Sequence, residues 1–192
     1  MEYPIIRLQV QRSPLKPGTA PRRWYDPSRL VEVVSLDVDA DGGIGVTNGG
    51  ERVVDVHNRR HPQTRDAKGR GGVSAMGTGD YLALRERYGP HMVDGIAGQS
   101  VLVDAPDGLA DWELTETIVI RTAAGTVEVQ GFGVAEPCVE FTRFCLQRQP
   151  DVIVDQQIKD HMVLLDGGAR RLQRLGDDSR HYPHQGPLSM PG

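Results

Sequence analysis

The sequence lacks the features of a membrane or secreted protein. No apolar run approaches the length of about 20 residues that a helix needs to cross a bilayer. The opening residues, Met1-Glu2-Tyr3-Pro4, lack a basic region followed by an apolar core, so no signal peptide is predicted. Only two cysteines are present, Cys138 and Cys145, and their spacing on a predicted helix is too long for an unstrained disulfide. A reducing, cytoplasmic setting without a membrane is therefore expected.

An excess of positive charge is also missing. The formal net charge is −4, which provides no overall basic field and argues against general nucleic-acid binding. The length of 192 residues is enough for one sizeable domain and short for two. We place a single domain at residues 1–176 and a flexible, polar, proline-containing tail at residues 177–192.

Glycine and proline are abundant instead, with 23 and 13 residues, which favours many short strands joined by turns. Alternating or β-rich segments predict strands at 5–11, 30–38, 44–46, 52–56, 100–103, 116–121, 126–130 and 170–175. Helical patterns predict helices at 81–88, 139–146 and 154–164. The fold class expected from this order is mainly β, a closed barrel with two or three helices on its rim.

Cys138 is the strongest candidate for a reactive residue. The run 131–138 reads as a strand that ends in a sharp turn, and Pro137 is a residue favoured in the first turn of a helix. Cys138 is therefore predicted near unpaired N–H groups at a helix start, with Arg143 close enough in sequence to add positive charge. Such a position favours the thiolate, which attacks sulfur or binds a metal. The alternative is an inert buried thiol, the commoner fate of a lone cysteine.

The segment from His57 to Gly72 is the strongest charge feature of the chain. Its basic side chains and the glycines at its end are suited to hold a phosphate or another anion. The residues proposed to bind such an anion are His57, Arg59, Arg60, Arg65, Lys68 and Arg70. The alternative is a solvated surface loop.

Two patterns in the sequence imitate metal sites without their essential parts. His57 and His61 have the spacing of a zinc pair on one helix face, but Pro62 and the preceding strand argue against a helix there. The segment 37–42 imitates the start of a calcium loop, but its twelfth position is Asn48 instead of the bidentate glutamate. We interpret that segment as a hairpin turn.

Several short motifs follow one another over most of the chain. They are Ile6 to Lys16, Asp55-Val56-His57, Gly72-Val73-Ser74, Thr78-Gly79-Asp80-Tyr81, Asp94-Gly95-Ile96-Ala97-Gly98 and Ala135-Glu136-Pro137-Cys138-Val139-Glu140-Phe141. The last two are the most specific. In this order and spacing they resemble the MOSC family, the domain found at the C-terminus of molybdenum cofactor sulfurases.

The resemblance implies a closed, strand-rich barrel of the pyruvate-kinase-barrel type and a pocket for the molybdenum cofactor, a pterin that carries a phosphate. It implies that Cys138 is a molybdenum ligand or a sulfur carrier. The basic loop after His57, together with Arg143, would suit the anionic cofactor and its phosphate, an assignment made from charge.

The chain departs from the family pattern at two places. Gly98-Gln99-Ser100 stands where relatives commonly have Gly-Glu-Asn, and residues 168–171 replace the usual Arg-Gly pair near the end.

Three functions follow as hypotheses. The first is a molybdenum-dependent oxidoreductase that reduces a small N-oxygenated substrate; because no flavin or iron–sulfur motif is present, a partner protein must supply the electrons. The second is a carrier that holds a persulfide on Cys138; because no pyridoxal-phosphate lysine is recognisable, a separate cysteine desulfurase must supply the sulfur. The third is a non-catalytic module that binds the pterin or a partner surface.

Overall fold

The computed structural model describes residues 2–64, 72–109, 117–122, 125–150, 153–165, 170–174 and 188–189. Within these ranges, strands outnumber helices, and three α-helices are present beside one short 3-10 helix. The predicted mainly β fold with two or three helices is therefore confirmed. None of the helices in these ranges is long and apolar enough to cross a membrane.

Nine of the eleven strands in the described residues precede the last two helices, and α1 separates β6 from β7. The strands are β1 (Ile5–Gln11), β2 (Leu30–Val33), β3 (Ser35–Asp39), β4 (Gly42–Val46), β5 (Arg52–Val54), β6 (Val73–Gly77), β7 (Val101–Val103), β8 (Thr117–Thr122), β9 (Gly125–Val134), β10 (Arg170–Arg174) and β11 (Leu188–Ser189). The helices are α1 (Thr78–Tyr88), α2 (Val139–Cys145) and α3 (Gln156–Leu165), and the 3-10 helix is Pro27–Arg29.

The larger sheet has the strand order β2-β1-β7-β6-β10-β9-β8. Its neighbouring strands are antiparallel except β6 and β7, which run parallel. A parallel pair needs a crossover connection, and α1 lies in the connection between these two strands. The loop that follows α1, residues 89–100, is therefore brought back to the sheet beside β1.

The smaller sheet has the order β11-β3-β4-β5 and is antiparallel throughout. The strand predicted at 30–38 is divided in the structure, because the chain leaves β1 and joins β4 at Val34. The Val34 N–H donates to the Val46 carbonyl at 2.8 Å, which starts the second set of strand pairings. The predicted hairpin turn at 41–43 is confirmed, and Gly42 has a φ of 117°, a conformation that favours glycine.

Apolar side chains from both sheets form the main core. Its buried members include Leu8, Val10, Val33, Leu36, Val53 and Val101. Gly45 lets the two sheets come close together: a Cβ atom there would lie 2.6 Å from Val33 Cγ1 and 2.9 Å from Val10 Cγ1. The sheets are thus joined at the Val34 corner and packed on each other.

The predicted closed barrel is not seen in the described part of the chain. β2 and β8 are the edge strands of the larger sheet, and no ladder between described residues joins them. The physical reason is the corner at Val34, which turns the chain out of the larger sheet instead of continuing it. β11 lies beside β3 and near β8, so the short C-terminal strand approaches this open side.

Helix α1 ends at Tyr88, as the sequence predicts, and begins at Thr78, three residues before the predicted start. The Asp80 carboxylate accepts a hydrogen bond from the Gly77 N–H at 2.8 Å, which satisfies a donor at the helix start. Gly89 ends the helix with a φ of 106°. The carboxylate of Asp80 also accepts from the Leu109 N–H at 3.2 Å, so the helix start is tied to the segment after β7.

Candidate functional site

Cys138 lies between β9 and α2, in extended backbone immediately before the helix. Its Sγ accepts a hydrogen bond from the Phe141 N–H at 3.4 Å, and its carbonyl accepts from the Thr142 N–H at 2.9 Å. The side chain is half-buried. Helix α2 begins at Val139, as the sequence predicts. Cys138 is its N-cap residue, and Pro137 lies outside the helix instead of in its first turn.

Cys145 has the opposite environment at the end of the same helix. It is 1% exposed and packs with Tyr88 and Met92. Burial, with a further contribution from Cys138, raises the pKa of the Cys145 thiol to about 12. Both cysteines are free thiols, as the sequence predicts. Cys145 thus has the inert environment that Cys138 lacks.

The two thiols are expected to differ sharply in alkylation. At about pH 8, a thiol with a pKa of about 12 is ionised in only about one molecule in ten thousand. Iodoacetamide should therefore modify Cys138 in the folded protein and leave Cys145 unmodified, as read by mass spectrometry of the intact protein. Cys145→Ser should still take one label and Cys138→Ser none. Labelling of Cys145 without unfolding would contradict this expectation.

A buried carboxylate stands beside Cys138. Glu140 is buried, and its Oε1 lies 3.0 Å from Arg23 Nε. Burial acts to raise the pKa of Glu140, but its own backbone N–H, the charges of Lys16 and Arg23, and the Cys138 thiol together bring the pKa below its ordinary value. Glu140 is therefore an ionised neighbour of the thiol at neutral pH.

The loop between β1 and β2 supplies the positive charge near Cys138. Lys16 and Arg23 both lie in this loop, and both act on Glu140. Arg143, predicted to bind a cofactor, is buried on α2, and its Nη1 donates to the Pro21 carbonyl of the same loop at 3.4 Å. Arg143 therefore lies on the helix that follows Cys138 and is bonded to the loop that carries Lys16 and Arg23, two cations that the sequence analysis did not single out.

Tyr25 anchors this loop on α2. Its ring packs against Phe141 and Phe144 with centroid distances of 5.0 and 5.2 Å. Its hydroxyl donates to the Ile96 carbonyl at 2.7 Å. Burial first, and then the neighbouring Tyr81 and Cys138, raise the pKa of Tyr25 well above its usual value. Tyr25 therefore connects the Cys138 segment to the loop before β7.

The predicted anion-binding loop lies at the end of β5, beside the hairpin of β3 and β4. Among its described cations, Arg59 lies 3.9 Å from the Asp41 carboxylate, and Arg60 pairs with both Asp39 and Asp41. Arg65, Lys68 and Arg70 lie outside the described residues. These ion pairs place Arg59 and Arg60 on the hairpin, and their role in anion binding stays a prediction.

His57 is held by a buried carboxylate. Asp55, which is 1% exposed, accepts from the His57 N–H at 2.8 Å and lies 2.9 Å from His57 Nδ1. Its second oxygen accepts from the Gln11 N–H at 2.7 Å. Strand β5 therefore ends at Val54 instead of the predicted residue 56. The Asp55 side chain is directed to Gln11 at the end of β1. The imidazole is oriented with Nδ1 towards Asp55, which leaves Nε2 directed away from that carboxylate.

No three His, Cys, Asp or Glu side chains form a metal-binding group within the described ranges. The ligation that the MOSC resemblance implies needs only one protein thiol, so it does not depend on such a group. No protein-family model, no curated protein sequence and no solved structure matches this chain. The resemblance to MOSC domains therefore stays an interpretation of the motifs and their order.

The sequence analysis missed Lys16, Arg23, Glu140 and Tyr25 as neighbours of Cys138. Lys16 and Glu140 fall inside the motifs that carry the resemblance, so these motifs could have indicated both residues. Arg23 and Tyr25 lie in an irregular loop more than a hundred residues from Cys138 in sequence, where no local pattern indicates their proximity.

Proposed function

We propose that the protein binds the molybdenum cofactor beside Cys138, and that Cys138 is the molybdenum ligand of an oxidoreductase acting on small N-oxygenated substrates. The observation that carries the proposal is the half-buried Cys138 thiol among Glu140, Lys16 and Arg23. The resemblance of the motifs to the MOSC family supports the choice of this cofactor, and the closed barrel of that family is part of the proposal.

The donor set around Cys138 fits such a cofactor. Thiolate is a soft ligand that binds transition metals. The cationic side chains of Lys16, Arg23 and Arg143 outnumber the single carboxylate of Glu140 in this group, which favours a molecule that carries negative charge. The packing of Tyr25 on Phe141 holds the loop that carries Lys16 and Arg23 against α2.

The chain's own residues would act by binding, orientation and proton balance. Cys138 must lose its proton to bind a metal. The ionised Glu140 is hydrogen-bonded to the Cys138 thiol and would accept that proton. The pairing with Arg23 keeps Glu140 charged and limits its freedom to move. When bound, the cofactor would supply the two-electron chemistry that cleaves an N–O bond, with electrons from a partner protein and the oxygen leaving as water.

The test is molybdenum content. Wild-type protein purified anaerobically from a molybdenum-replete host should contain molybdenum and pterin. Cys138→Ser should lose molybdenum by about tenfold or more, because its only protein ligand is changed. Cys145→Ser is the matched control, since that thiol is buried in the apolar cluster of α2, and it should keep wild-type content. Full molybdenum retention by Cys138→Ser would defeat the proposal.

A sulfur carrier is the second candidate, and the contrast between the two cysteines favours it. A persulfide on Cys138 survives only if no nearby thiol attacks it, and Cys145 is buried and resists ionisation. Incubation with a cysteine desulfurase and cysteine should then add one sulfur atom to Cys138, as read by mass spectrometry. An unmodified Cys138 would count against the carrier.

Unchanged pterin affinity in Cys138→Ala would instead favour a non-catalytic binding module.

A further inference from the structure

Gln99 stands in the loop before β7, and its backbone is firmly placed. The residue is 3% exposed. Its carbonyl accepts a hydrogen bond from Gln9 Nε2 at 2.7 Å. The preceding Gly98 has a φ of 85°, and its carbonyl accepts from Gln11 Nε2 at 2.9 Å. The strand β1 therefore positions the loop through two glutamine side chains.

Tyr81 determines which way the Gln99 amide points. The Tyr81 hydroxyl is completely buried, and its oxygen accepts a hydrogen bond from the Ala97 N–H at 3.0 Å. Its single proton must then go to another acceptor, and Gln99 Oε1 lies 2.6 Å away. If the amide were turned round, the Tyr81 proton would lose this acceptor. The amide oxygen therefore faces Tyr81, and Nε2 faces away from it.

Gln99 Nε2 is a buried donor without a hydrogen-bond partner among the described residues. Buried polar groups are almost always paired, because leaving one unpaired is unfavourable. The two neighbouring glutamines follow this rule: Gln9 Nε2 donates to the carbonyls of Gly95 and Gln99, and Gln11 Nε2 donates to Gly98. The exception at Gln99 indicates that the partner of this donor does not lie among the described residues.

The Gln99 loop and Cys138 lie on either side of Tyr25. A Cβ atom on Gly98 would lie 3.2 Å from the Tyr25 hydroxyl oxygen. The Tyr25 ring packs on Phe141, whose N–H donates to Cys138 Sγ. Tyr81, which holds the Gln99 amide, and Cys138 both act on the pKa of Tyr25. Tyr25 is thus a shared neighbour of the Gln99 loop and of the site proposed above.

We propose that Gln99 Nε2 donates to an oxygen acceptor, a carbonyl or an oxyanion oxygen, of the molecule bound beside Cys138, an inference that rests on the proposed function. An amide N–H₂ selects for an acceptor and against a donor at this point. A carboxylate here would select in the opposite sense. Gln99 therefore acts as a specificity-determining residue of the same site.

The direct test follows the Gln99 side-chain amide by NMR in ligand-free protein. Two probes distinguish the sources of the oxygen: pterin, which offers a ring carbonyl and no phosphate, and inorganic phosphate, which offers an oxyanion. A chemical-shift change of the Gln99 side-chain amide is expected with one of the probes, and the probe that causes it shows whether the acceptor is a ring carbonyl or an oxyanion. Gln99→Met should weaken binding of that probe by about tenfold, because one buried hydrogen bond is lost.

Stability of the ligand-free variants provides a second readout. Gln99→Met loses the acceptor of Tyr81 but also removes the unpaired donor, so its melting temperature should stay within about 2 °C of wild type. Gln9→Met is the matched control in the same buried layer. It loses two donated hydrogen bonds and should melt about 5 °C or more below wild type.

The outcomes separate this inference from the proposed function. An unmoved Gln99 amide with both probes, together with wild-type molybdenum and pterin content in Gln99→Met, would overturn the role of Gln99 and leave the proposed function standing. A shifted amide in a wild-type protein that never contains molybdenum would support the donor role of Gln99 and contradict the molybdenum function. Equal destabilisation of Gln99→Met and Gln9→Met would also overturn the inference, since it would show a paired donor.

Discussion

Replacing Gly79 by alanine is expected to destabilise the protein by about 3 kcal/mol. Gly79 is in the first turn of α1, where a Cβ atom would lie 2.1 Å from the Pro106 carbonyl oxygen and 2.4 Å from the Gly108 N atom. Both are backbone atoms, so the clash cannot be relieved by rotating a side chain. The gain in helix propensity from Gly to Ala, at most about 1 kcal/mol, is smaller than this effect. Urea denaturation would measure the difference.

Gly49→Ala is the matched control for this substitution. A Cβ atom at Gly49 would have Thr47 Oγ1 as its nearest neighbour, at 3.8 Å, which is ordinary contact. Its unfolding free energy should therefore differ from wild type by no more than about 0.5 kcal/mol. Equal stabilities for Gly79→Ala and Gly49→Ala would show that the start of α1 is not packed against the segment after β7 as described.

The second large effect is expected for Asp55→Asn, at about 3 kcal/mol of unfolding free energy. Both carboxylate oxygens of Asp55 accept hydrogen bonds from N–H groups, with distances of 2.7 Å to Gln11 N and 2.8 Å to His57 N. An asparagine would place an N–H₂ group against one of these donors in a buried position. The variant should also release the His57 ring, because Asp55 holds Nδ1.

Chemical denaturation measures the stability change, and ¹⁵N NMR of the imidazole reports the orientation of His57. Asp37→Asn provides the control, because Asp37 pairs with Arg52 at the surface and the loss of such a pair changes stability by less than about 1 kcal/mol. A wild-type unfolding free energy in Asp55→Asn would refute the description of Asp55 as the buried link between β1 and the His57 loop.

The regular elements were predicted well because their signals are local. β1 occupies the predicted residues 5–11, since alternation and the prolines after it mark both ends. Helix α1 is ended by Gly89 as predicted, and the hairpin between β3 and β4 turns at the predicted glycine. Each of these outcomes depends on backbone preferences of neighbouring residues, which the sequence displays directly.

The candidate site was predicted only in part. Cys138 was placed within one residue of its position at the helix start, because Pro137 and the apolar pattern after it are local signals. Arg143 was predicted to add positive charge from the helix after Cys138, whereas Arg23, whose Nε lies 3.0 Å from Glu140 Oε1, was not singled out. Charge runs show where cations occur along the chain, and they do not show which of them reach a distant residue.

The sequence by itself determined the strand-rich class, the places of the three helices and of most strands, and the free state of both thiols, because these depend on spacing, turns and composition. Only the tertiary structure decided that the chain bends from one sheet to the other at Val34, that Glu140 lies between Cys138 and Arg23, and that the Gln99 donor stands unpaired among the described residues. These features arise from contacts between residues far apart in sequence, whose geometry no local pattern encodes.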